Sequence, residues 1–103
     1  MTTLPESLTS ADFQPYLNQF FHISLEGQET PYALVLVEIK DLGPAPTGQA
    51  RQPFSLLFQN PDPKHYLLQR IYCLEHAQAG TLELFLVPVG PDRSGMLYEA
   101  IFA

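Results

Sequence analysis

The chain has no tryptophan, a single cysteine and only five basic residues among its 103. With Cys73 alone there can be no internal disulfide, so the fold is not one of the stapled scaffolds of oxidising compartments. The five bases are Lys40, Arg51, Lys64, Arg70 and Arg93, and no two of them are closer than six positions. A nucleic-acid partner needs clustered Lys and Arg to displace counterions, and none is expected. Long hydrophobic runs are missing too. The longest aliphatic run, Ala33 to Val37, is far short of the roughly 18 residues of a membrane-spanning helix. The opening Met1-Thr2-Thr3-Leu4-Pro5-Glu6 lacks the basic start and apolar stretch of a secretory signal. No membrane partner is expected, and the simplest compartment is the cytoplasm.

Charge is sparse: charged residues make up 16% of the chain, against about 25% in typical domains. Eleven acids over five bases give a formal net charge of −6, with the acids scattered from Glu6 to Glu99. Such an excess serves solubility in the first place.

What the chain does have is 10 prolines, 6 glycines and a 46% hydrophobic share. That combination describes short elements joined by tight turns and favours strands over helices. Residues 1 to 8 read as a loose lead-in. Thr9-Ser10-Ala11-Asp12 matches a helix-start pattern, and Phe13, Leu17 and Phe20 share one helical face. Pro15 limits this to one or two short turns, because it would break a helix that began at Thr9. From Phe21 the period changes to two, and Phe21 to Leu25 reads as a first strand. Tyr32 to Ile39 is rich in apolar residues on both parities, with Ala33, Val35, Val37 and Ile39 on one face and Tyr32, Leu34, Leu36 and Glu38 on the other. A Pro/Gly-rich loop follows from 41 to 52. Phe54 to Phe58, Gln69 to His76, Thr81 to Val87 and Met96 to Phe102 complete six strands, with Pro88 marking an edge or a bulge. Leu82, Leu84 and Leu86 match Phe54, Leu56 and Phe58 in period and should meet in one core. The connections are too short for parallel crossovers. The expected fold is therefore a single mainly β domain over residues 1–103: a six-stranded antiparallel small barrel or two-sheet sandwich with a short N-terminal helix.

Phe54-Ser55-Leu56-Leu57-Phe58, Gln69 to His76, Gly80-Thr81-Leu82-Glu83-Leu84-Phe85-Leu86-Val87-Pro88-Val89-Gly90-Pro91-Asp92 and Tyr98-Glu99-Ala100-Ile101-Phe102 together resemble a family of short bacterial domains of unknown function. The stretch from Leu8 to Phe21 is similar to that family's opening. Members of the family are often encoded near phage-tail-collar-like proteins, so the resemblance implies an accessory role in a tail-like or surface assembly. It implies no activity, and no functional residue is carried over from it.

Candidate chemistry is thin. His22, His65 and His76 have no second His or Cys at ligand spacing, and adjacent Glu75 and His76 point to opposite faces of a strand. No metal and no cofactor is expected. Cys73 and His76 have opposite parity, which argues against a thiol nucleophile and its base, and a buried, inert cysteine is the expectation. Gly-x-Ser-x-Gly, phosphate-cradling and dinucleotide patterns are all missing.

Surplus hydrophobicity is the remaining signal. The strands at 32–39 and 81–87 carry apolar residues on both faces, so Leu34 and Leu36, or Phe85 and Val87, are left to meet another surface. The expected function is a non-enzymatic protein-interaction or structural module that binds a protein partner or its own copies. The alternatives are a small-ligand-binding β barrel and, with less support, a hydrolase whose site is assembled from scattered residues.

Overall fold

A computed structural model describes residues 9–25, 27, 30–43, 53–61, 66–92 and 95–102. The lead-in at 1–8 and most of the loop at 41–52 therefore lie outside the described residues, as does His65.

A single helical turn, α1 (Ser10–Phe13), opens the fold and passes directly into a 3-10 turn over Gln14–Tyr16. Asp12 supports the start, because its Oδ2 accepts the Thr9 N–H at 2.7 Å and the Thr9 hydroxyl at 3.2 Å. Pro15 then sits at the beginning of the 3-10 turn, where its missing N–H costs least. Six strands follow: β1 (Phe20–Ile23), β2 (Tyr32–Asp41), β3 (Phe54–Asn60), β4 (Arg70–His76), β5 (Gly80–Asp92) and β6 (Gly95–Phe102). They close into one antiparallel barrel in the order β1-β2-β3-β6-β5-β4. Of the two architectures compatible with the sequence, the barrel is the one formed.

β1-β2-β3 is one three-stranded meander and β4-β5-β6 another, joined through β3–β6 and β1–β4. The first join has seven register pairs, from Phe54 with Phe102 to Asn60 with Met96. The second has only His22 with Glu75.

Alternate residues point inward and fill the interior: Phe21 and Ile23, Leu34 and Leu36, Phe54, Leu56 and Phe58, Leu74, Leu82, Leu84 and Leu86, and Tyr98 are all buried in one cluster. The matched leucines of β5 and phenylalanines of β3 meet there, as their common period requires. Six strands enclose little space, and these side chains occupy it.

Both ends are plugged. At one, the Phe13 ring lies 5.9 Å from Phe54 and 5.5 Å from Phe102, which stack on each other at 4.4 Å and 10°. At the other, the chain crosses from β3 to β4, which stand three places apart whichever way round the ring is counted. Leu67 of that crossing is buried. Two tyrosines hold the segment: Tyr98 Oη accepts the Leu67 N–H at 2.8 Å, and Tyr72 Oη donates to the Leu68 carbonyl at 2.8 Å.

Two bulges change the parity. The β2–β3 register shifts between Leu36 and Glu38, so Ile39 pairs with inward Leu56 and packs on the core. Its alternation with Ala33, Val35 and Val37 had placed it on their face, and the extra residue at Val37 is what reverses it. The β5–β6 register shifts between Pro88 and Gly90, so Pro88 marks a bulge within a long strand rather than the strand's end.

Candidate functional site

With the interior filled, accessible chemistry lies on the outside, where the strand registers build two features. The first is an apolar row. Lys40 pairs with Ser55, and Ser55 with Ile101. Phe85 pairs with Ile71, and Val87, two residues on from Phe85, pairs with Glu99, two residues before Ile101, so Ile101 lies on the β6 side of Phe85. Ile101, Phe85 and Ile71 are 60%, 48% and 63% exposed, a band of large apolar side chains on the outer faces of the neighbouring strands β6, β5 and β4. Val87 continues the band along β5 and is half-buried. Carboxylates frame it: Glu83 and Val87 flank Phe85 on β5, and Glu99 stands opposite Val87.

The second feature is a groove of about 820 Å³ over the join between the two meanders. Ala33, His22, Glu75 and Thr81 form one level across β2, β1, β4 and β5. Phe20 and Pro31 supply apolar walls, and the small Ala33, Ala77 and Gly80 leave the space open. His22 and Glu75 are thus cross-strand neighbours on the outer face, the spacing at which paired side chains interact. Their adjacency arises only from barrel closure, which no local pattern encodes.

The residues singled out from the sequence separate cleanly. Leu34 and Leu36 are fully buried inside the barrel, so no partner can reach them. Parity could not say which face of an all-apolar strand turns inward; Ala33, Val35 and Val37 are the outer set, half-buried. Phe85 and Val87 do lie on the outer face. Cys73 is exposed rather than buried, because it shares the outward parity of Ile71 and Glu75.

His76 points the other way from Cys73. Its ring packs 4.8 Å from both Tyr16 and Phe21. Nδ1 accepts the Gln78 and Ala79 N–H groups at 3.0 and 3.1 Å. That atom therefore carries no proton, and in the neutral ring Nε2–H donates to Gln19 Oε1 at 2.7 Å. Both nitrogens are engaged in structure, and the thiol and imidazole do not meet. Among the described residues, no three His, Cys, Asp or Glu side chains come together as a metal site would need.

Ionisation is perturbed in the tyrosine cluster. Burial, reinforced by the Tyr98 hydroxyl, holds Tyr32 well above the ordinary tyrosine range. Burial also raises Tyr72, against the lowering pull of the Arg70 guanidinium, which lies 6.0 Å from its ring centroid. A tyrosine held neutral in this way serves as a hydrogen-bonding strut, not as a base.

These features define a small closed antiparallel barrel with a filled interior, plugged ends and an outer face that mixes apolar and acidic side chains. No described helix is long and apolar enough to cross a membrane. The chain belongs to the family described as a domain of unknown function (DUF6916), which it matches over residues 8–102. No curated protein and no solved structure matches it.

Proposed function

We propose that this domain works by contact, as a non-enzymatic module that holds a protein partner, or a second copy, against the outer face of β4, β5 and β6. The observation that carries the reading is the direct pairing of Ile71 with Phe85, two large apolar side chains that the barrel leaves exposed. Exposed aromatic and aliphatic neighbours are the usual centre of a protein interface. The family resemblance noted in the sequence supports reading that contact as an accessory one, within a larger assembly of the phage-tail or surface-fibre kind.

Phe85→Glu tests it. A charge on the outer face is tolerated in water and not in an apolar interface. The variant should keep its circular dichroism spectrum and melting transition while losing association, measured by size-exclusion chromatography with light scattering, alone and with a candidate tail or fibre partner. Unfolding of the variant would assign Phe85 to the core, and unchanged association would move the interface elsewhere.

A second reading is favoured by the groove at His22 and Glu75, whose volume falls within the range of about 300 to 1,000 Å³ typical of small-ligand sites. Any such ligand would sit outside the barrel, since Phe and Leu side chains occupy the inside.

A further inference from the structure

The charges around the exposed row say what kind of partner fits it. Phe85 is followed on the same face of its strand by Val87 and preceded by Glu83, while Glu99 stands one diagonal step away on β6. Further along the same outer level, Glu38 pairs with Leu57, which pairs with Glu99. The cation in this row, Lys40, is three strands from Phe85, roughly 14 Å around a curved wall at the usual strand spacing. Arg70, one residue before Ile71, lies against the Tyr72 ring. Among the described residues, the charges that border Phe85 on this face are therefore the carboxylates of Glu83 and Glu99, on a chain of net charge −6.

An isologous pairing of two copies through Phe85 would set Glu83 and Glu99 against the same acidic rim, which disfavours it. A partner with cations around an apolar centre would instead gain at each of these positions. From this geometry, and resting on the contact reading above, we infer that the Ile71–Phe85–Ile101 row receives a basic segment of a different protein. That segment places an apolar side chain beside Phe85 and a Lys or Arg on either side, facing Glu83 and Glu99.

The test uses the full chain and two synthetic peptides with the same Leu-Ile centre, one flanked by lysines and one by glutamates. Binding is followed by backbone amide shifts in two-dimensional NMR, which also report whether each variant is folded. The lysine peptide should bind, shift Phe85 and Ile101, and weaken as salt rises through the Debye regime. The glutamate peptide should not bind. Glu83→Gln with Glu99→Gln should weaken the lysine peptide by about 2- to 30-fold, as for two exposed ion pairs, whereas Asp41→Asn on β2 should leave it unchanged.

Equal binding of the two peptides, or no effect of the double glutamine variant, overturns the basic partner. In that case the contact reading survives if Phe85→Ser still abolishes binding. A dimer in light scattering that Phe85→Ser dissociates also overturns it, in favour of a second copy. If Phe85→Ser leaves peptide binding and association unchanged, the contact reading fails together with the inference.

Discussion

The Tyr98 hydroxyl stands 3.0 Å from that of Tyr32, and the same Tyr98 oxygen accepts the Leu67 N–H at 2.8 Å. One phenol thus joins β6 to β2 and to the segment that crosses the barrel's end. Both rings are buried. Tyr98→Phe would leave a buried backbone N–H without its acceptor, at a cost of about 1 to 3 kcal/mol. Tyr32→Phe keeps that bond and should cost less. Thermal melts of the two variants check the order, and equal losses would show that the crossing segment does not depend on Tyr98.

Tyr32 gives the fold an alkaline limit. Tyr32 is held above the ordinary tyrosine value, chiefly by burial. The unfolded chain ionises near about pH 10. Above that point it has released a proton that the folded chain still binds, so stability falls as pH rises towards the folded value; below it, Tyr32 adds no pH dependence. Urea midpoints should therefore drop between pH 9 and pH 11, less steeply in Tyr32→Phe. A slope unchanged by the substitution would assign the loss to other groups.

How much of this was legible in the sequence depends on the alternation in each strand. Leu82, Leu84 and Leu86 declare their inward face because Glu83 stands between them, and β3 does so through Phe54, Leu56 and Phe58. The strand from Tyr32 to Asp41 offers no such contrast, so Leu34 and Leu36 were as eligible for the surface as Ala33 and Val35. The bulge at Val37 hides a parity reversal that a regular period cannot express. Both outer features are built by register across strands far apart in the chain. Ile71 and Phe85 share a hairpin, but Ile101 reaches them through β6, and His22 meets Glu75 only through closure of the ring.

Gly95 carries a constraint that the other described glycines do not. Its φ is +146°, and a Cβ there would collide with the carbonyl oxygen of Asn60. Gly80, at φ +80°, has open space around it. Gly80→Ala should cost about 1 to 2 kcal/mol for the left-handed backbone alone. Gly95→Ala should cost more, since the obstacle is backbone that cannot rotate away. Chemical denaturation of the two variants gives the comparison, and a milder effect at Gly95 would mean that the β3–β6 edge shifts freely.

Cys73 is exposed beside Ile71 and Glu75 on the outer face. Its thiol should react with an aromatic disulfide reagent in the native protein, at a rate that urea below the unfolding transition does not change. Labelling that requires unfolding would place the side chain under cover. If the row at Phe85 is the interface, a bound partner should also slow this labelling, because Cys73 pairs with Glu83 two residues from Phe85.

The join between β1 and β4 is the fold's weakest lateral contact, with one register pair against seven between β3 and β6. His76 compensates for it. It accepts two turn N–H groups through Nδ1, reaches Gln19 through Nε2, and packs its ring at a tilt against Tyr16 and Phe21. His76→Ala removes all of these together and should cost about 1 to 3 kcal/mol, the sum of a few modest hydrogen bonds. Gln19→Ala removes only the Nε2 contact and should cost less. The loss should also be local: native-state hydrogen exchange should quicken at the β1 amides of Phe21 and His22 before it does at Leu56 or Tyr98, because a seam held by one pair opens below the global unfolding free energy. If exchange instead quickens uniformly across all six strands, the barrel opens only as a whole, and His76 supports the core rather than the seam.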